Sequence, residues 1–200
     1  MTVRQPDGQI LALSWRDTPE RYGLITRALH WGMAGVFAWQ FLGMALRNLL
    51  GRGPVAGFFV SSHTALGTVL LLLVLLRGAW GLYNRPRRPP HGPGWLGRAS
   101  VAGHLALYGL MLLVPSLALL RAYGSGRAFS PFGVPLFPGF QGGPIGWMTA
   151  PGNAAHGLLA WVLLALIAGH IVMAVAHRVI WRDDVLQRMA GRVRQPAAGE

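Results

Sequence analysis

The sequence predicts an all-α integral membrane protein, a four-helix bundle with both termini on the cytoplasmic side. Four apolar runs have the length, about 20 residues at ~1.5 Å rise each, that crosses hydrocarbon. Arginines alternate from one connection to the next in the manner that orients membrane helices. Of 200 residues, 52% are hydrophobic and 12% charged, a balance that leaves too few charges for an ordinary soluble surface. With no cysteine, disulfides, thiolate metal sites and cysteine nucleophiles are excluded. The net charge of +12 does not indicate a nucleic-acid binder, because the arginines flank the apolar runs and form no single basic face.

Residues 1–27 are polar and hold no short apolar core with a cleavage site, so the first span is expected to be retained. That span covers Ala28 to Leu46, entered from Thr18-Pro19, which reads as an N-cap followed by proline at the first helical position. The second span runs from Val55 to Leu76. The third runs from Ser100 to Leu120, with Pro115 predicting a kink, and the fourth from Gly157 to Ala176. Each is too apolar for an amphipathic helix and too long for a strand. The connection from Arg121 to Asn153 is rich in glycine, proline and aromatics. It reads either as an irregular loop with Phe and Trp at headgroup level or as a lid over the outer face. Residues 1–182 form the membrane domain, and residues 183–200 form a cytoplasmic tail beginning with a short amphipathic segment.

The N-terminal arm, the second connection and the tail hold fourteen of the eighteen arginines, and only Arg47, Arg52, Arg121 and Arg127 lie on the other side. The positive-inside rule therefore predicts cytoplasmic termini.

In "AAHGLLAWVLLALIAGHIVMAVAHR" three histidines, His156, His170 and His177, are spaced fourteen and seven residues apart and so share one helix face. Imidazole is costly in hydrocarbon unless something binds it. His170 lies roughly 21 Å deeper than His156 along the helix. By depth, His30 pairs with His170 on the inner side and His63 with His156 on the outer side. Two facing pairs suit two planar metal cofactors. Haem fits best, because its iron takes one axial imidazole from each side. Zinc wants about four ligands around one point, and no span contains a carboxylate. Without cysteine the haem is non-covalent, b-type. The residue four positions after each proposed ligand is small (Ala34, Gly67, Ala160, Ala174), leaving room for a macrocycle. The competing reading is that these histidines are interhelical hydrogen-bond partners. His104 reads as a rival ligand to His30, a propionate partner or an interface residue. His177 reads as a helix-end cap or as a proton donor near a quinone or propionate. His91 reads as solvated. Met33, Met44, Met111, Met148 and Met173 read as core filler, with iron ligation the alternative.

The stretches "RYGLITRALHW", "SSHTALG", "HLALYGLMLLVP", "AAHG" and "GHIVMAVAHRVIWRDDVLQRM" resemble the prokaryotic cytochrome b561 family, which includes the bacterial superoxide oxidase. The likeness runs from about Arg21 to Met189. It implies a four-helix bundle in the bacterial inner membrane with two b haems, His30 and His170 holding the cytoplasmic-side haem and His63 and His156 the outer one. His177 stands where the family retains a histidine near its quinone region.

Three functions follow as expectations. The first is transmembrane electron transfer to ubiquinone or another quinone, with superoxide as donor at the outer face if the resemblance extends to activity. The second is a membrane anchor passing electrons from a partner dehydrogenase to quinone, docked through the cytoplasmic arginines and Asp183 and Asp184. The third is a haem-free bundle or small transporter whose histidines line a water path.

Overall fold

The computed structural model describes residues 2–4, 10–12, 14–89, 92 and 94–190. His91, read above as solvated, and residues 191–200 of the tail lie outside them.

A short antiparallel pair, β1 (Thr2–Arg4) with β2 (Ile10–Ala12), precedes an otherwise helical chain. The helices are α1 (Leu24–Leu50), α2 (Pro54–Ser61), α3 (His63–Tyr83), α4 (Gly94–Gly124), α5 (Gly146–Val179) and α6 (Val185–Ala190). The stretches Pro54–Tyr83, Gly94–Gly124 and Gly146–Val179 are long and apolar enough to cross a membrane. Their outer faces fit lipid, since Leu72, Leu75, Leu158 and Val172 are all exposed. α1 is long enough at 27 residues but less apolar, because His30, Gln40 and other polar residues interrupt it.

Three sequence expectations need correction. Thr18-Pro19 does not open a helix: the Thr18 N–H donates to the Arg21 carbonyl in a local turn. α1 starts at Leu24, where Asp17 does the work of a cap from a distance. Its Oδ1 accepts the Gly23 N–H at 2.9 Å and the Thr26 hydroxyl at 2.6 Å, and its Oδ2 accepts Arg88 Nε at 3.0 Å. The arm thus folds back so tightly that a Cβ at Gly23 would collide with the backbone of Trp15 and Arg16. The second apolar run is also not one helix, because it breaks at Ser62, between α2 and α3. Finally, α4 and α5 extend beyond the predicted runs, so the third connection shrinks to residues 125–145 and Asn153 and Pro151 are helical.

That connection is irregular but anchored. Phe129 bridges Phe137, Tyr123 lies edge-on to Phe137 at 5.3 Å, and the turn Pro131–Gly133 packs on α3.

α1 packs on α3, α3 on α4 and α4 on α5. Close approach at the last contact needs glycine: a Cβ on Gly152 would sit 2.7 Å from the Leu117 carbonyl oxygen. α5 has no comparably close packing with α1 or α3. α6 packs on α5 and links it to α1, its Ala190 and Met189 carbonyls accepting Arg27 and the Trp31 indole N–H. The buried core is small, with Met33, Val74, Met111 and Leu163 contributing one residue per long helix. Leu163 lies seven residues from both His156 and His170, so this layer sits between the two histidine levels. Met33 and Met111 are therefore core filler, as expected for a flexible side chain.

Candidate functional site

The histidines meet across the side where α5 stands apart from α1 and α3. His30, one residue short of two turns into α1, faces His170 of α5, with ring centroids 6.3 Å apart and planes at 71°. His63, the first residue of α3, faces His156 of α5 at 6.2 Å and 84°. Two imidazoles bound on opposite sides of one metal, at about 2 Å per metal–nitrogen bond, set their ring centres roughly 6 Å apart. Both separations suit one metal between each pair. His104 also approaches His170, at 5.4 Å, which is short for that arrangement. Among the described residues, no group of three or more His, Cys, Asp or Glu gathers to hold a metal, so a tetrahedral zinc site has no ligand set here.

Each level is held by groups that periodicity does not reveal. The break at Ser62 places His63 at the head of α3, and side chains of α1 hold this helix start. Gln40 Nε2 donates to the His63 carbonyl at 2.9 Å, and Trp39 Nε1 donates to Ser62 Oγ at 2.9 Å. Gln40 is buried, with its Oε1 lacking a partner. It is the one amide in the first apolar run, and that anomaly was the available signal. His156 Nδ1 lies 3.0 Å from the carbonyl of Val114 on α4. A carbonyl can only accept, so Nδ1 carries the proton and Nε2 keeps its lone pair for a metal. The partner belongs to a neighbouring helix, beside Pro115, and not to the preceding turn of α5. The local version occurs at His104, whose Nδ1 is 2.6 Å from the Ser100 carbonyl.

At the other level the chemistry differs. Arg77 of α3 brings one terminal guanidinium nitrogen within 3.2 Å of His30 Nδ1 and the other within 2.9 Å of the Tyr108 hydroxyl. Its Nε is buried without a partner. In the sequence Arg77 is only the first arginine after the second apolar run. Its burial depends on α4 supplying Tyr108.

His177 points elsewhere. Its Nδ1 is 2.5 Å from Asp183 Oδ2, its ring packs against Trp181 at 4.8 Å, and its backbone carbonyl accepts the Asp183 N–H. The chain thus turns at the end of α5 so that an acid orients the imidazole.

The family model for prokaryotic cytochrome b561 matches residues 21–192. The chain belongs to the prokaryotic cytochrome b561 family. It is a membrane cytochrome b with an electron-transfer role, and its cofactor is haem b. The cytochrome is similar to cytochrome b561 homolog 2 of Escherichia coli K12, with 32% identity, 90% of this chain and 96% of the relative covered. It is also similar to cytochrome b562 of Cereibacter sphaeroides, with 28% identity over 84% of this chain and 94% of that one. The matched span begins just before α1 and takes in both histidine levels, His177 and α6.

Proposed function

We propose that this cytochrome holds two b haems, one between His30 and His170 and one between His63 and His156, and passes electrons across the bilayer to a membrane quinone. The observation carrying this is the pair of imidazole–imidazole separations, 6.3 and 6.2 Å, each made by side chains of different helices. Bound haem supplies reversible one-electron chemistry. The residues supply the rest. His30, His63, His156 and His170 would hold the haems, the Val114 carbonyl sets the tautomer of His156, and Gln40 fixes the backbone of His63. The apolar layer of Met33, Val74, Met111 and Leu163 keeps water from the space between the two levels.

In this reading α1 is the fourth span, and both termini face the cytoplasm of a bacterial inner membrane, as the arginine alternation favours. His177, oriented by Asp183, is the proton donor to quinone at that face. His177→Gln is expected to slow quinone reduction about 100-fold, the usual worth of a positioned acid. Asp183→Asn is expected to slow it roughly tenfold, by freeing the ring without removing it. Rates are compared at equal haem content, and an unchanged rate in His177→Gln excludes the assignment.

Superoxide is the proposed donor at the other face. No acidic residue occurs between Arg21 and Arg182, so Arg47, Arg52, Arg121 and Arg127 leave that face wholly positive. The deciding experiment is stopped-flow reduction of the purified chain by superoxide, with quinone present and ionic strength varied. The expected rate falls steeply with salt as attraction is screened. A salt-independent rate counts against superoxide, and failure to pass electrons to quinone without an added subunit revives the anchor reading.

A further inference from the structure

Arg77 is a part-buried cation whose side-chain contacts, among the described residues, include no carboxylate. Among the described residues the carboxylate ion pairs join Arg88 to Asp17 and His177 to Asp183, and neither reaches Arg77. What Arg77 does touch is neutral: the Tyr108 hydroxyl, which its guanidinium also overlies at 5.3 Å from the ring centre, and His30 Nδ1. An uncompensated charge inside a helix bundle is expensive, and cells of low dielectric resolve it by pairing. The buried Nε of Arg77, which has no partner, is a donor that suits an anion.

The His30 contact indicates where that anion sits. A guanidinium only donates, so at 3.2 Å His30 Nδ1 must be the acceptor and Nε2 must carry the proton. A protonated Nε2 cannot bind a metal. Ligation through Nε2 moves the proton to Nδ1, where it faces another donor, and the Arg77 contact is lost. The guanidinium is then left with two unused donors, the terminal nitrogen released by His30 and the buried Nε that has no partner at all. Two donors of one guanidinium are the complement of a carboxylate. A haem held through His30 would carry carboxylates that could meet these donors.

We propose that Arg77 is the anion receptor of the His30–His170 site and binds a propionate carboxylate of the haem held there. This rests on the two-haem reading above. Tyr108 holds the guanidinium in place, and occupancy of the site switches Arg77 from the imidazole to the carboxylate. Arg77 is thus a positioning and charge-compensating residue for the cofactor.

The test is potentiometry of the purified, haem-replete protein, resolving both haems, on wild type, Arg77→Gln and Arg77→Lys. A count of two haems per wild-type chain checks the underlying reading separately, so its failure is distinguishable from failure here. Loss of a cation beside the haem disfavours the reduced state. Arg77→Gln is therefore expected to lower the reduction equilibrium of one haem about tenfold, ~59 mV for one electron, and to leave the other unchanged. Arg77→Lys keeps the charge but not the two-pronged donor, and is expected to shift the same haem by about threefold. A second arm replaces native haem with its dimethyl ester, in which no carboxylate remains. The difference between wild type and Arg77→Gln is then expected to shrink, because the guanidinium is no longer held against the haem edge. Should Arg77→Gln fail to retain haem, the lysine variant decides by the same two measurements. Wild-type potentials in the variants, or a shift equally large with the esterified haem, overturn the proposal; the latter would mean that Arg77 acts on iron through its field alone.

Discussion

Replacing His63 with alanine is expected to remove about one haem per chain and leave the other in place. The reason lies in how locally each level is built. His63 heads α3, and the contacts that hold this helix start use its backbone carbonyl and Ser62, not its imidazole. Alanine keeps both and is a better helix former. His170→Ala is expected to do the converse, since the Val114 bond that orients His156 lies fourteen residues away along α5. The apolar layer between the levels should transmit little of either change. Pyridine-haem quantitation with reduced-minus-oxidised spectra reads the result. Loss of both haems from either change would mean one shared site or a collapsed bundle, and no loss would remove these histidines from the ligand set.

The largest effect on stability is expected at Asp17, which lies outside the apolar runs. The residue is 2% exposed, and its carboxylate accepts from the Gly23 N–H, the Thr26 hydroxyl and Arg88 Nε. Thr26 in turn accepts the Trp80 indole N–H at 2.9 Å, so one acid ties the N-terminal arm, α1, the end of α3 and the turn Arg85–Arg87 that precedes Arg88. Asp17→Ala strands three donors, one of them charged, and should cost about 3 kcal/mol. In a chain of this size that corresponds to a fall in Tm of roughly 10 °C, followed through haem absorbance on heating. Asp17→Asn can still accept from Gly23 and Thr26 and should lose about half as much. An Asp17→Ala protein with wild-type Tm would show that the arm contributes nothing to the bundle.

Much of the site was legible because membrane helices obey a simple period. Residues seven apart share a face, so His156 and His170 had to point the same way once the run was helical, and their partners followed from depth. The supports were not legible. Gln40 and Arg77 matter through partners 23 and 31 residues away, and Val114 through one 42 residues away. No local pattern encodes such distances. The break at Ser62 was hidden for the same reason. "GFFVSSHTALG" is apolar enough to continue a helix, and only side chains on α1 make the interruption affordable.

Length, apolar content and the placement of arginine and histidine by themselves determined a membrane-bound helical protein with imidazoles at two depths, because hydrocarbon thickness and helical pitch leave few alternatives. Tertiary structure alone decided which side of α5 stays open, which carbonyl sets the tautomer of His156, and that Arg77 is part-buried beside His30 with no acid among the described residues paired to it. Those outcomes depend on how separate helices meet, and a hydrogen bond between helices leaves no trace in the periodicity of either one.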